Sequence, residues 1–285
     1  METIKTIYVH LTPESLPFSK ELTNSYFVYN EVPAYTYLSI EQTKRTTNSD
    51  CILLTNDSIK EYYNDVEEFF ELCKNGFPSF YKDPFWLLTL LRLYVVYLYC
   101  TKHNINSFVH FENDNLVYKT YDCLKKLPDG CYFTKVGPEC GSAGFMFCNS
   151  LKNFTITINS LKHLLKKGEQ YIKPYTSYDF LSEMILIDLL VRGNKAEYLP
   201  LIPNDKYYDI TNCVFDGASY GQYIGGTNNN HGPGWSGLNH YLGQLLNQDR
   251  VQIIFDKNTP HTIIDNTKTD IFNLHIHSKQ LQNYV

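Results

Sequence analysis

Glu112 and Asp114 stand one residue apart at the end of the run Phe108-Val-His-Phe111. A short apolar run of this kind reads as a buried strand. Two carboxylates at its carboxyl end repel each other and border groups that exclude water. Such a pair is costly unless a cation neutralises it. A divalent metal holding a diphosphate would do so, because hard cations take carboxylate oxygens and keep further positions open for phosphate. The position agrees, since open α/β sheets bind ligands beyond the carboxyl ends of their strands. Asn113, between the two acids, belongs to the same cofactor-binding set.

The stretch Phe272-Asn-Leu-His275-Ile-His277-Ser-Lys279 offers further ligands. Read as a strand, it puts His275 and His277 on one face and Leu274 and Ile276 on the other. A lone histidine usually has a structural or surface role. Two on one face, followed by a lysine, fit a metal site with Asp114 and Glu112, in which Lys279 meets phosphate as a point charge. His277 is expected to matter more, being nearer the strand end. Arg92 lies inside the apolar segment 84–100 and needs an anionic partner there. An acidic side chain is the simpler partner; a ligand phosphate is the other.

Two places supply a carboxylate to act as general base. A helix expected to begin at Thr176-Ser177 would carry Asp179 and Glu183 one turn apart, on a shared face. Glu183 is the first candidate, and Asp216, at the end of Cys213-Val-Phe215, is the second. Asp179 is the third, although a helix N-terminus explains an acid there equally well. Eight of the 15 glycines fall between Gly217 and Gly243. That region is too rich in glycine and asparagine for a regular element, and long loops of this kind are usually functional or disordered. Asp216, Gln222, Asn228, His231 and Trp235 offer polar groups and a ring to a small polar ligand, Gln222 with the cofactor.

These residues need a scaffold, and the chain alternates strand and helix signals. Strands are expected at 6–11, 26–29, 51–55, 108–111, 143–148, 251–255 and 271–276. Helices are expected from Ser58 or Asn64 to about Cys73, over 84–102, and from Thr176. Such alternation predicts an α/β sheet packed by helices. The 285 residues are 43% hydrophobic, enough for a substantial core. No glycine precedes Gly76, which excludes both the G-x-G-x-x-G fingerprint and a Walker-type phosphate loop from the early sheet. A net charge of -5 argues against a nucleic-acid partner. None of the eight cysteines has C-x-x-C spacing, so zinc is not indicated. Buried thiols and the lack of a basic, then apolar, opening point to a cytoplasmic protein. Segment 84–100 is short for a membrane span and carries Arg92, so a core helix is expected and no span.

The helix bearing Arg92, followed by an apolar strand ending in Glu112-Asn113-Asp114, resembles the D/E-x-D region of GT-A-type nucleotide-sugar glycosyltransferases. The Phe215-Asp-Gly…Gly221-Gln-Tyr-Ile-Gly-Gly226 block and the Leu-His-Ile-His-Ser-Lys ending resemble those of uncharacterised bacterial and viral proteins of this type. The resemblance implies a single GT-A-like (Rossmann-like) mixed sheet flanked by helices, with a Gly-rich C-terminal loop region. It implies one domain over 1–285, with 1–120 binding nucleotide and 121–285 binding the acceptor and supplying the C-terminal metal ligand. Asp114 would ligate Mn²⁺ or Mg²⁺, Glu112 would contact ribose or metal-bound water, and a late histidine would complete the site. The donor would be a nucleoside-diphosphate sugar, UDP-linked by preference, and the acceptor a glycan or other acceptor molecule. This chain has Glu in the first acidic position and lacks the His-x-x-Gly-x-x-Lys-Pro-Trp ending of some retaining members, so inversion and retention both stay open. Two other classes compete. A metal-dependent nucleotide-sugar hydrolase or nucleotidyltransferase would use the same acids and histidines. A non-catalytic carbohydrate-binding protein would leave Glu112 and Asp114 unexplained.

Overall fold

The computed structural model describes residues 3–12, 16, 31–79, 84–179, 181–221, 224, 253–257 and 259–285. Its centre is a six-stranded mixed sheet in the order β2-β1-β3-β6-β5-β7. The strands are β1 (Lys5–His10), β2 (Cys51–Thr55), β3 (Phe108–Phe111), β5 (Cys131–Gly137), β6 (Cys140–Cys148) and β7 (Glu197–Tyr198). β1 pairs in parallel with β2 and β3, while β6 is inserted antiparallel between β3 and β5. The fold is therefore α/β with a mixed sheet, as expected.

β1 carries the unbroken apolar run Ile7-Tyr8-Val9 because both of its faces are covered. Ile7 and Val9 enter one core cluster, and Tyr8 enters another on the opposite face. The first cluster lies under α2 (Tyr63–Gly76), α3 (Pro84–Lys102), α4 (Leu151–Lys167) and α5 (Glu183–Arg192). Phe69, Phe70, Leu87, Leu91, Phe154 and Leu186 fill it. Full burial of side chains this size contributes about 1.5–3 kcal/mol each. The second cluster is aromatic, with Phe111, Phe145, Phe147, Phe215 and Phe272. The Tyr8 hydroxyl donates to Thr43 Oγ1 at 2.9 Å and so ties the sheet to α1 (Ala34–Thr47).

α3 is long and apolar enough by composition to cross a membrane, but 56% of that window is buried within this fold. Its Leu87, Leu90, Leu91 and Val95 are fully buried in the core beneath the sheet. α4 starts where Ser150 Oγ accepts the Asn153 N–H at 3.3 Å, and it stops at Gly168, whose φ of 79° suits glycine.

Two smaller sheets complete the described residues. β8 (Ile253–Asp256), β9 (Thr259–Ile264) and β10 (Thr267–Asp270) form an antiparallel meander. β4 (Asn115–Val117) pairs antiparallel with β11 (Asn273–His275), setting Asn115 opposite His275. Gln42 of α1 closes the other edge of β4: its Oε1 accepts the Val117 N–H at 3.0 Å and its Nε2 donates to the Val117 carbonyl. This ribbon brings the late part of the chain beside the end of β3.

Two expectations change, while the strand expected at 26–29 lies outside the described residues. The stretch 271–276 is a strand only over Asn273–His275, and His277 sits in the turn beyond it. The helix expected from Thr176 begins only at Glu183. Glu139 is the reason: its Oε2 accepts the Ser177 N–H at 2.6 Å and the Thr176 hydroxyl at 2.8 Å, which holds that segment out of helical geometry. Asp179 therefore lies exposed ahead of the helix and shares no helical face with Glu183.

Candidate active site

The chain leaves β3 at Phe111 and turns at once, with the Asn115 N–H bonded to the Glu112 carbonyl at 3.1 Å. The turn holds Glu112 and Asp114 at the sheet's carboxyl edge. β11 then delivers His275 between them. Its Nε2 lies 3.1 Å from Glu112 Oε2 and 3.1 Å from Asp114 Oδ1. Arg92, from α3, meets the other Glu112 oxygen at 2.8 Å. Lys279 pairs with Asp114 Oδ2. Asp114, His275 and His277 each offer a ligand atom within 4.8 Å of one another, the spacing of a three-residue metal site. The two imidazole rings stand edge to face, 4.5 Å apart.

The charges are mutually dependent. Burial would raise the Glu112 carboxyl, but Arg92 and His275 outweigh it and hold the group well below the usual range. Asp114 behaves alike, with His275 and Lys279 overcoming burial. Burial pulls the His275 imidazole down, yet Asp114 and Glu112 override it and hold its value well above 6.5. His277 moves the other way, because burial and then the nearby His275 and Lys279 charges all disfavour its cation. A neutral imidazole is the metal-binding form.

The donor set suits a divalent cation. His275 Nδ1 lies 2.7 Å from the Gly217 carbonyl, which can only accept a hydrogen bond. That contact keeps a proton on Nδ1, so a cation that replaces the second proton, on Nε2, would find that atom facing the carboxylates, the arrangement that orients histidines at metal centres.

Asp216 has a different place from the one expected of it. It is fully buried. Its Oδ1 accepts from the Ser219 and Tyr220 N–H groups at 2.6 and 2.9 Å, and its Oδ2 from those of Gly221 and His275 at 2.7 and 2.8 Å. With both oxygens occupied by backbone, this carboxylate secures a turn and a strand instead of taking a substrate proton. Gly221 is required at that turn, because a Cβ there would come within 2.5 Å of the His275 carbonyl oxygen.

Glu183 is buried at the start of α5, and its Oε2 has no hydrogen-bond partner among the described residues. Burial, followed by the Glu112 charge, pushes its carboxyl up to about 8. It thus feels the Glu112 charge although 71 positions away in sequence. Asn113 Oδ1 is likewise buried and accepts no hydrogen bond among the described residues. Gln222, Asn228, His231 and Trp235 lie outside the described residues.

Several contributors were not expected from the sequence. Asn115 Nδ2 donates to the Gly144 carbonyl at 2.9 Å, and Asn273 Nδ2 donates to Asn115 Oδ1 at 2.9 Å and to the Asp216 carbonyl at 2.8 Å. This amide chain joins the acidic turn, β11 and the Asp216 turn. Asn273 precedes His275 by two residues and so shares its face, which is the one signal that pointed to it.

No protein-family model and no curated protein matches the chain. Among solved structures, it is similar to the apo form of the glycosyltransferase GlyE of Streptococcus pneumoniae TIGR4, with 12% identity, a TM-score of 0.37, and coverage of 73% of this chain and 48% of that one. The chain thus spans about half the length of GlyE. It is also similar to the apo form of mouse xyloside xylosyltransferase 1, with 10% identity, a TM-score of 0.38, and coverage of 69% of this chain and 84% of that one.

Proposed function

We propose that this chain transfers a sugar from a nucleoside-diphosphate sugar, UDP-linked by preference, to a glycan or other hydroxyl acceptor, with a divalent cation at Asp114, His275 and His277. The observation that carries this reading is the meeting of Glu112 and Asp114, at the end of β3, with His275, His277 and Lys279. Sugar transfer from such a donor breaks a bond to a diphosphate, and negative charge grows on that leaving group. A cation at this site would supply the Lewis acid that stabilises it. Lys279 adds a fixed positive charge beside it. Arg92 reaches the same place only through Glu112, which it holds in position.

Glu183 suits the proton chemistry. A carboxyl raised to about 8 lies near operating pH, where a general base works best. The buried Asn113 carbonyl oxygen, which accepts no hydrogen bond among the described residues, supports a role for this residue in holding the donor.

Asp114→Asn tests the reading. It keeps size and removes the ligand charge. Mn²⁺-dependent UDP binding, read by calorimetry, should weaken by at least about tenfold while the thermal melt stays cooperative. Unchanged binding and an unchanged metal requirement would sink the assignment. Incubating UDP-sugars with and without hydroxyl acceptors separates transfer from the competing hydrolase reading, which predicts free sugar regardless of acceptor.

A further inference from the structure

Both oxygens of Asp114 are already engaged. His275 Nε2 lies on Oδ1 and the Lys279 ammonium on Oδ2. Lys279 reaches inward from an unusual backbone, with φ at 61°, in the left-handed region that a long side chain seldom adopts. The turn that produces this conformation is closed by the Lys279 N–H on the Ile276 carbonyl at 3.1 Å. It spans His277, so the same turn carries a candidate metal ligand and a cation aimed at the same carboxylate. The ammonium also lies 5.8 Å from the centre of the Tyr35 ring, on α1. A lysine meant only to meet phosphate in solvent would need neither the left-handed backbone nor a buried carboxylate as partner.

We infer that Lys279 is an internal counter-ion that competes with the divalent cation for Asp114, so that metal and diphosphate bind as a mutually dependent pair. The inference rests on the metal reading above. A cation that takes Asp114 has to displace the ammonium from Oδ2. A diphosphate offers the displaced ammonium a new anionic partner within reach of the same turn. Each ligand then makes room for the other, and by linkage the metal raises diphosphate affinity by the same factor as the diphosphate raises metal affinity. Such a device keeps Asp114 neutralised while no donor is bound and ties metal capture to donor arrival.

The distinguishing result is one of sign. Were Lys279 only a structural or phosphate-binding residue, its removal would leave Mn²⁺ affinity unchanged or weaken it. Competition predicts that Lys279→Met binds Mn²⁺ alone more tightly, by about three- to tenfold for a partly exposed pair. UDP affinity should fall in the same variant, and the enhancement of Mn²⁺ binding by UDP should shrink to the part carried by direct contact between metal and diphosphate. Lys279→Arg should restore the wild-type pattern. Free Mn²⁺ is measured by electron paramagnetic resonance, without and with saturating UDP. Lys268→Met, which removes an exposed charge on β10, controls for net charge. Lys279→Gln is the second variant and is held to the same criterion. Asp114-dependent Mn²⁺ binding that both Lys279 variants leave unchanged or weaken overturns this inference alone. Mn²⁺ binding that Asp114→Asn leaves at wild-type strength overturns the metal reading and this inference with it.

Discussion

Glu183→Gln probes the buried carboxyl through stability as well as rate. The folded chain keeps the Glu183 proton up to about pH 8, whereas the ordinary glutamate value is 4.5. A carboxyl raised by folding penalises the fold as pH climbs between those two values, because the unfolded chain releases a proton that the folded chain retains. Below pH 4.5 the penalty is absent; above about pH 8 it is complete. At about 1.4 kcal/mol per pH unit, moving from pH 5 to pH 7 costs the wild type roughly 2.5 kcal/mol through this group. Glutamine has no proton to release, and every other group is common to both proteins. The stability of Glu183→Gln relative to wild type should therefore grow by roughly 2.5 kcal/mol over that window, or about 4 °C in melting temperature. Thermal and urea melts of both proteins at pH 5 and pH 7, in chelator, would measure it. A difference that stays constant with pH would refute the buried, proton-bearing carboxyl. In the same variant sugar transfer should fall about 10²–10⁴-fold if the residue is the base, with Mn²⁺ affinity nearly unchanged.

Two further outcomes follow from the geometry. Asp216→Asn places an amide where a carboxylate oxygen accepted two backbone N–H groups, so two buried donors lose their acceptor. The variant should lose about 2–4 kcal/mol of stability by urea titration, and a loss below about 0.5 kcal/mol would show that the carboxylate is not holding the turn. His275→Ala should weaken Mn²⁺ binding more than His277→Ala, because His275 faces both carboxylates and is fixed by Gly217; calorimetry giving the reverse order would return the principal role to His277.

The parts of the site that could be read from sequence were those whose chemistry is local. The apolar run into Glu112 and Asp114 announced a strand end with unbalanced charge, and the need of Arg92 for an anion was met by Glu112. The period-two spacing grouped His275 with His277, and their rings do meet, although the strand stops at His275. What stayed hidden depended on distant partners. Nothing in the neighbourhood of Thr176 shows that Glu139 will take its hydroxyl and the next N–H, so the helix start was misplaced and Asp179 with it. Asp216 looked like a free acid because the four N–H groups it accepts are set by the path of the backbone. The amide chain through Asn115 and Asn273 needed the pairing of β4 with β11, which no single segment encodes.

That pairing has a consequence for how the protein comes into being. Asp114 and Lys279 are 165 positions apart. At about 5–20 residues per second of synthesis, the acidic turn is made roughly 8–33 s before the segment that completes its surroundings. Over that interval Arg92 can balance Glu112, but Asp114 has neither His275 nor Lys279. The nascent sheet edge is thus an incomplete chelate that holds a cation poorly, and high-affinity capture waits until β11 has docked on β4. Metal capture would then require the late ribbon to have docked, not merely the early sheet to have formed.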